Sequence, residues 1–543
     1  MIIDKKRYIV ALLLLALIFI PTLRAEDSKP PRLVVNIIVS SMRASDLEKY
    51  RNNFCEGGIA RLIGGGKYYT NASYDYMLTS TAAGIATYAT GTLPSIHGVI
   101  GQRWYNYVDS SLVSLINDSK HHPVKYSTGS GNYSPHRLTT PTMGDMLLWS
   151  DSESKQISVA VDALSAIVVN GKAGVAYWAE KNKTHWTTSS AYLYTLPEWV
   201  ERYNEANSNR YYMLPRWTPI YEAKSYINDE VAVVEDVVGK STKLLSDVNL
   251  SLANSDIGRM CYTPAGNTML LEFASNAVAQ ERLGADDHPD ILNIVLDTPR
   301  YIAETYGTES IEYEDMLYRL DRDLSEFLTF LYAQVKSPED IIVVLCSDHG
   351  TAPSYNPVGA AARERFNTRQ MEVIVNAFLG AHYGSDSYVL GFANNSIYLN
   401  HSLILSKRLS IDAIREEVAV FMLQLRGVRN AISTTALRNT SFADGRSRLM
   451  QRSFYPTRSG DVIIDFMPGW TIEDNSIRTS SDGGYNYDRY VPLVIYGGDA
   501  TAEVIERSVS ICEVAPTICN ILTIDRPWAT EDKALEEFDK TIK

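Results

Sequence analysis

Cysteine is scarce in this chain. Five residues in 543 (Cys55, Cys261, Cys346, Cys512 and Cys519), with no C-x-x-C pair, exclude a disulfide-built scaffold and a thiolate zinc cluster. An odd count leaves at least one thiol unpaired in a monomer, and buried apolar thiols are the simplest reading. Positive charge is also short, at 51 Lys and Arg against 64 Asp and Glu, a formal balance of -13. That balance excludes unaided nucleic-acid binding over the surface as a whole. No period of about 20 to 50 residues recurs, which removes solenoids and propellers. With 45% hydrophobic and 21% charged residues, the chain has ample material for a large core and none of the signature of disorder.

One apolar run stands out. Lys5, Lys6 and Arg7 precede Tyr8 to Ile20, followed by Pro21 and Leu23-Arg24-Ala25. This reads as an export signal over residues 1–25, cleaved after Ala25, with a retained anchor as the alternative. The run is shorter than the roughly 20 residues of a spanning helix, and no second span follows. The predicted location is therefore the periplasm or cell envelope, with no integral span after cleavage.

Downstream, branched-aliphatic runs alternate with helical patterns: Arg32 to Ser40 ahead of a helix from about Ala44 to Leu62, then Ile157 to Val161, Ile291 to Leu296, Ile341 to Leu345 and Val491 to Tyr496. This grammar predicts an α/β fold with a central, mostly parallel sheet flanked by helices, whose functional groups gather at the carboxyl ends of the strands. Residues 177–288 turn aromatic and loop-rich and read as an inserted cap. The core is then 26–176 and 289–526, with a smaller α+β subdomain at about 351–488 containing a helix at Ile411 to Leu425. Residues 527–543 read as a solvated tail.

The chemistry concentrates after the first helix, where a Ser/Thr-rich loop runs into a small-residue helix ending at Thr90-Gly91. A hydroxyl at a helix N-terminus meets free amides and a favourable dipole, which stabilise an alkoxide or a bound anion. The plainer reading is that Thr79, Ser80 or Thr81 only caps the helix.

Four separated motifs occur in order: T-x-x-G-x-A-T-x-x-T-G-x-x-P-x-x-H-G (Thr81 to Gly98), a strand ending in D-H-G (Asp348 to Gly350), Y-N-Y-D-x-x-V-P-L (Tyr485 to Leu493) and V-A-P-T (Val514 to Thr517). In these the chain resembles the alkaline phosphatase superfamily, most closely its threonine-nucleophile members, relatives of the nucleotide pyrophosphatase/phosphodiesterases. The resemblance implies two zinc ions about 4 Å apart clamping a phosphate ester while a threonine attacks it. It places the nucleophile on Thr81 and a metal-ligand pair on Asp348 and His349. The other expected positions depart from the pattern. The first-strand aspartate falls on Ser40, and the second metal site falls on Arg300, Glu304 and Ser481. The phosphate-binding amide falls on Gln102, and the two phosphate-binding cations fall on Asp162 and Leu164. A guanidinium repels zinc, and a carboxylate repels a phosphate dianion.

On these departures the leading expectation is an exported protein that has lost two-zinc phosphatase activity and serves as a binding or assembly component, Thr81 being a vestigial nucleophile. No cofactor is expected, or at most one weakly held zinc on Asp348 and His349. The partner would be a protein or a cell-envelope ligand. The alternative is a single-metal phosphodiesterase or related ester hydrolase using Thr81. A third reading is a carbohydrate or lipid-headgroup binder working through the aromatic cap.

Overall fold

The computed structural model describes residues 29–125, 131–180, 185–207, 217–228, 260–353, 365–472 and 477–539. The export segment 1–25 lies outside the described residues, as does part of the 177–288 segment. Among the described residues, no helix is long and apolar enough to cross a membrane.

A ten-stranded sheet organises the chain, and its centre is parallel. Leu33–Val39 lies between Ile341–Cys346 and Asp290–Leu296, the latter pairs with Gln156–Ala160, and that strand pairs with Val175–Ala179. These strands read as near-continuous apolar runs because helices cover both faces and every residue of the four inner ones is buried. The strand predicted at Val491 to Tyr496 forms as Leu493–Gly497, but it runs antiparallel to Ile341–Cys346. The single helix predicted from Ala44 to Leu62 is two, Ala44–Tyr50 and Ile59–Gly65, with a 3-10 turn at Arg51–Asn53. The break is stabilised from afar, since the Asp321 carboxylate accepts from the amides of Cys55 and Ile59, both at 2.6 Å.

Parts of the aromatic segment are built into this sheet and its core. Trp186–Ser189 pairs with Val175–Ala179, and the Trp186 ring stacks on Phe273 at 4.1 Å. A second sheet of four strands is ordered Val389–Ala393, Ser396–Leu399, Val462–Phe466, Val428–Ser433, and the helix Ile411–Met422 packs on it. All five cysteines are free thiols, four of them buried. The last residues are not simply solvated: Leu535 is fully buried, and Glu537 pairs with Arg507 at 2.8 Å.

Candidate active site

Four adjacent parallel strands deliver their C-terminal residues to one crevice: Asp348 after Ile341–Cys346, Ser40 after Leu33–Val39, Asp297 after Asp290–Leu296, and Asp162 after Gln156–Ala160. Neighbouring strands in register end at the same level, which is why residues more than 300 apart in sequence meet there. The Ser40 hydroxyl donates to Asp348 Oδ2 at 2.6 Å, while the amides of Ser41 and His349 donate to Oδ1 at 2.9 and 2.8 Å. Ser41 takes a left-handed conformation, φ 66°, to turn its amide inward.

Thr81 arrives on the helix Thr81–Thr90. Ser80 is the N-cap, its side chain accepting from the Ala83 amide, so capping falls to Ser80 and the Thr81 hydroxyl is left for other work. Gly84 sets the approach: a Cβ there would stand 1.7 Å from the Asp348 carbonyl oxygen. With the helix this close, Thr81 Oγ1 lies 3.1 Å from His349 Nε2. His349 Nδ1 lies 2.6 Å from the Gly350 carbonyl oxygen and must carry the proton there. In the neutral ring Nε2 is therefore the acceptor, and Thr81 donates to it.

At the ends of the next strands, Arg300 sits among three carboxylates, 3.6 Å from Glu304 and 3.8 Å from each of Asp162 and Asp297. Asp297 starts the helix Thr298–Tyr306 and is fully buried. It accepts from Ser165 Oγ at 2.6 Å and from the Asp162 amide at 2.9 Å. Burial, reinforced by the Asp162 charge, raises its pKa above the ordinary carboxylate range. Asp162 has a structural task as well, since it caps the helix Ala163–Asn170 through the Leu164 amide. The Leu164 side chain is buried in the apolar core. Gln102 and Asp162 line one cavity of about 250 Å³. Ser481 and Glu304 line another, of about 280 Å³.

Asp482 and Asp488, for which the residue pattern showed no site role, also line the second of these cavities. Both carboxyls are raised by burial, and each has an oxygen with no hydrogen-bond partner among the described residues. Residue spacing carried no signal of that burial. His97 bonds Thr87 and is held neutral, burial pulling its pKa down to about 3.

The donors around Asp348 and His349, with the Ser40 and Thr81 hydroxyls, suit one divalent cation in chemical type. Among the described residues, no three His, Cys, Asp or Glu side chains converge as a metal cluster. The position of Arg300 does not suit a second cation, because a half-buried guanidinium already occupies the carboxylate ring there.

The model of the type I phosphodiesterase/nucleotide pyrophosphatase family matches residues 34–487. The alkaline phosphatase PafA of Elizabethkingia meningoseptica is 28% identical over 515 residues, 93% of this chain and 94% of that protein. Its crystal structure superposes with a TM-score of 0.88 over 94% of this chain and 99% of the other. The alkaline phosphatase PhoV of Synechococcus elongatus is 26% identical over 528 residues, covering 96% and 95%. These findings overturn two expectations. Full-length relatives named as phosphatases displace the reading of a non-catalytic binding component, and a metal-dependent family displaces the expectation of no cofactor. Thr81 and His349 are held together although neighbouring ligand positions have changed.

Proposed function

The chain belongs to the type I phosphodiesterase/nucleotide pyrophosphatase family, and from that premise we propose that it is an exported ester hydrolase with Thr81 as nucleophile, acting on phosphodiesters and similarly singly charged esters. The observation that carries this reading is the Thr81 hydroxyl at a helix N-terminus, donating to His349 Nε2 at 3.1 Å.

Attack by Thr81 Oγ1 on phosphorus sheds the hydroxyl proton, and His349 Nε2 lies on its path. The Gly350 carbonyl fixes the imidazole with this nitrogen toward Thr81, so no reorientation precedes the transfer. Free amides of the first helical turn face the charge that grows on the phosphoryl oxygens. Asp348 and His349 Nε2, aided by the Ser40 and Thr81 hydroxyls, are the groups that would hold a divalent cation, and with it bound Nε2 would be a ligand in place of the proton acceptor. When bound, the cation would supply Lewis-acid charge to the nucleophile and the phosphoryl group. Asp162 disfavours a dianion, since like charges at about 4 Å repel by roughly 1 to 4 kcal/mol depending on exposure. A diester carries one charge fewer and suffers less.

The test is turnover of bis-p-nitrophenyl phosphate, p-nitrophenyl phosphate and p-nitrophenyl sulfate by wild type and Thr81→Ala, with metal content measured on the same samples. Thr81→Ala should lower diester turnover by about 10³-fold or more, with Thr81→Ser retaining part of it. Equal activity in Thr81→Ala would remove Thr81 from the mechanism. A higher kcat/KM for the monoester would reverse the substrate preference.

A further inference from the structure

Of the three acids around Arg300, two are held in place without it. Asp162 and Asp297 follow adjacent parallel strands, Gln156–Ala160 and Asp290–Leu296, paired in register. Asp162 accepts from the Leu164 amide at 3.2 Å and from the Tyr301 hydroxyl at 3.3 Å. Asp297 gives one oxygen to Ser165 and the other to the Asp162 amide. Glu304 stands four residues beyond Arg300 on the same helix, and its carboxylate is paired only with Arg300 among the described residues.

Arg300 fits this ring as a charge and poorly as a hydrogen-bond donor. Its terminal nitrogens stay 3.6 to 3.8 Å from the carboxylate oxygens, beyond ordinary hydrogen-bond length, and its Nε is enclosed with no partner among the described residues. The guanidinium lies instead 4.4 Å from the centre of the Tyr301 ring. An arginine placed for hydrogen bonding would engage a carboxylate edge-on through its planar fork. What remains is electrostatic. Carboxylates from two neighbouring strand ends and one helix turn repel each other in a crevice only partly open to water, and a positive charge among them relieves that repulsion. A divalent cation does the same work in a carboxylate site.

We propose that Arg300 is a built-in substitute for a second metal ion: its guanidinium keeps the ring of Asp162, Asp297 and Glu304 filled, and its removal unmasks an oxygen-donor site for one hard divalent cation. With the guanidinium between them, the carboxylates do not converge as a metal cluster. Without it, Glu304, whose side chain is 32% exposed, closes toward two acids that are already fixed. Three carboxylates with no imidazole or thiolate suit Mn²⁺, Ca²⁺ or Mg²⁺.

The test is manganese binding to the full purified chain, stripped with chelator, re-equilibrated with MnCl₂ and read by mass spectrometry and thermal unfolding. Arg300→Ala should bind one Mn²⁺ per chain more than wild type, and Mn²⁺ should raise its unfolding temperature by more than it raises that of wild type. Arg300→Lys, which keeps the charge, should bind no more than wild type, and Asp297→Asn added to Arg300→Ala should abolish the extra ion. The proposal is overturned if Arg300→Ala takes up no extra Mn²⁺, if Arg300→Lys gains one, or if the extra ion survives Asp297→Asn. If Arg300→Ala does not fold, the double variant Arg300→Ala with Glu304→Gln should, because one excess negative charge is gone. A double variant that also fails to fold would show that Arg300 packs the crevice and does not neutralise it, which overturns the proposal as well. Metal content and folding are read without turnover, so either result leaves Thr81-dependent hydrolysis to its own test.

Discussion

Glu312 stands in the first turn of the helix Ile311–Gln334 with 1% of its surface exposed, and its Oε2 has no hydrogen-bond partner among the described residues. Burial pushes its pKa up to about 7, against the pull of the Ser310 side chain and Arg478. A carboxyl raised on folding holds its proton more tightly in the native than in the unfolded chain. The stability it contributes is complete below the ordinary carboxylate range and is lost as pH rises toward 7. Glu312→Gln should therefore flatten the fall in stability between pH 5 and pH 8, by about 3 kcal/mol at most. Urea unfolding at the two pH values checks this, and an unchanged slope would mean that Glu312 is solvated in the native state. Burial is also what separates the residues legible in the sequence from those that were not. Thr81, Asp348 and His349 occupy motif positions, and with Ser40 they lie within hydrogen-bond reach of one another in two pairs. Asp297 and Asp482 have no motif, and only the fold reveals that Asp297 is buried at its strand end and that one oxygen of Asp482 is enclosed.

The element that positions the nucleophile is the helix Thr81–Thr90, packed so closely on the end of Ile341–Cys346 that Gly84 has no room for a methyl group. Gly84→Ala should push the helix off the strand end. The cost is about 1–3 kcal/mol of stability, and a displacement near 1 Å at Thr81 lowers turnover about 100-fold. Thermal unfolding and bis-p-nitrophenyl phosphate kinetics on the same sample check both, and wild-type kcat in the variant would disprove the positioning role. The central parallel strands were legible because helices cover both faces and leave uninterrupted apolar runs. The break between Ala44–Tyr50 and Ile59–Gly65 was not, because what stabilises it is the carboxylate of Asp321, more than 260 residues away. The direction of Leu493–Gly497 was hidden for a similar reason: an apolar run shows that a strand is buried, not which way it runs beside its neighbour.

At the scale of the whole molecule, the ten-stranded and four-stranded sheets each carry apolar clusters, and a small apolar cluster of Met77, Leu78, Leu437, Met450 and Ile463 joins them together with polar contacts. Arg458 is 8% exposed and donates to the carbonyls of Gly98 and Arg137, both at 2.7 Å, with its guanidinium 4.7 Å from the Trp104 ring. Its own carbonyl accepts from Tyr398 of the smaller sheet. Nearby, Tyr107 stacks on His401 at 4.1 Å and donates to the Ser459 carbonyl at 3.0 Å. One residue thus ties a helix-to-strand turn beside the nucleophile helix, through its side chain, to the second sheet, through its carbonyl. Arg458→Met keeps the volume but leaves two buried carbonyls unmatched, which should cost about 2–5 kcal/mol. Because that loss falls on the junction and not inside either core, the variant should unfold in two calorimetric transitions where wild type shows one. A single transition at the wild-type temperature would mean that the sheets are held together by other contacts, and that Arg458 only fills space between them.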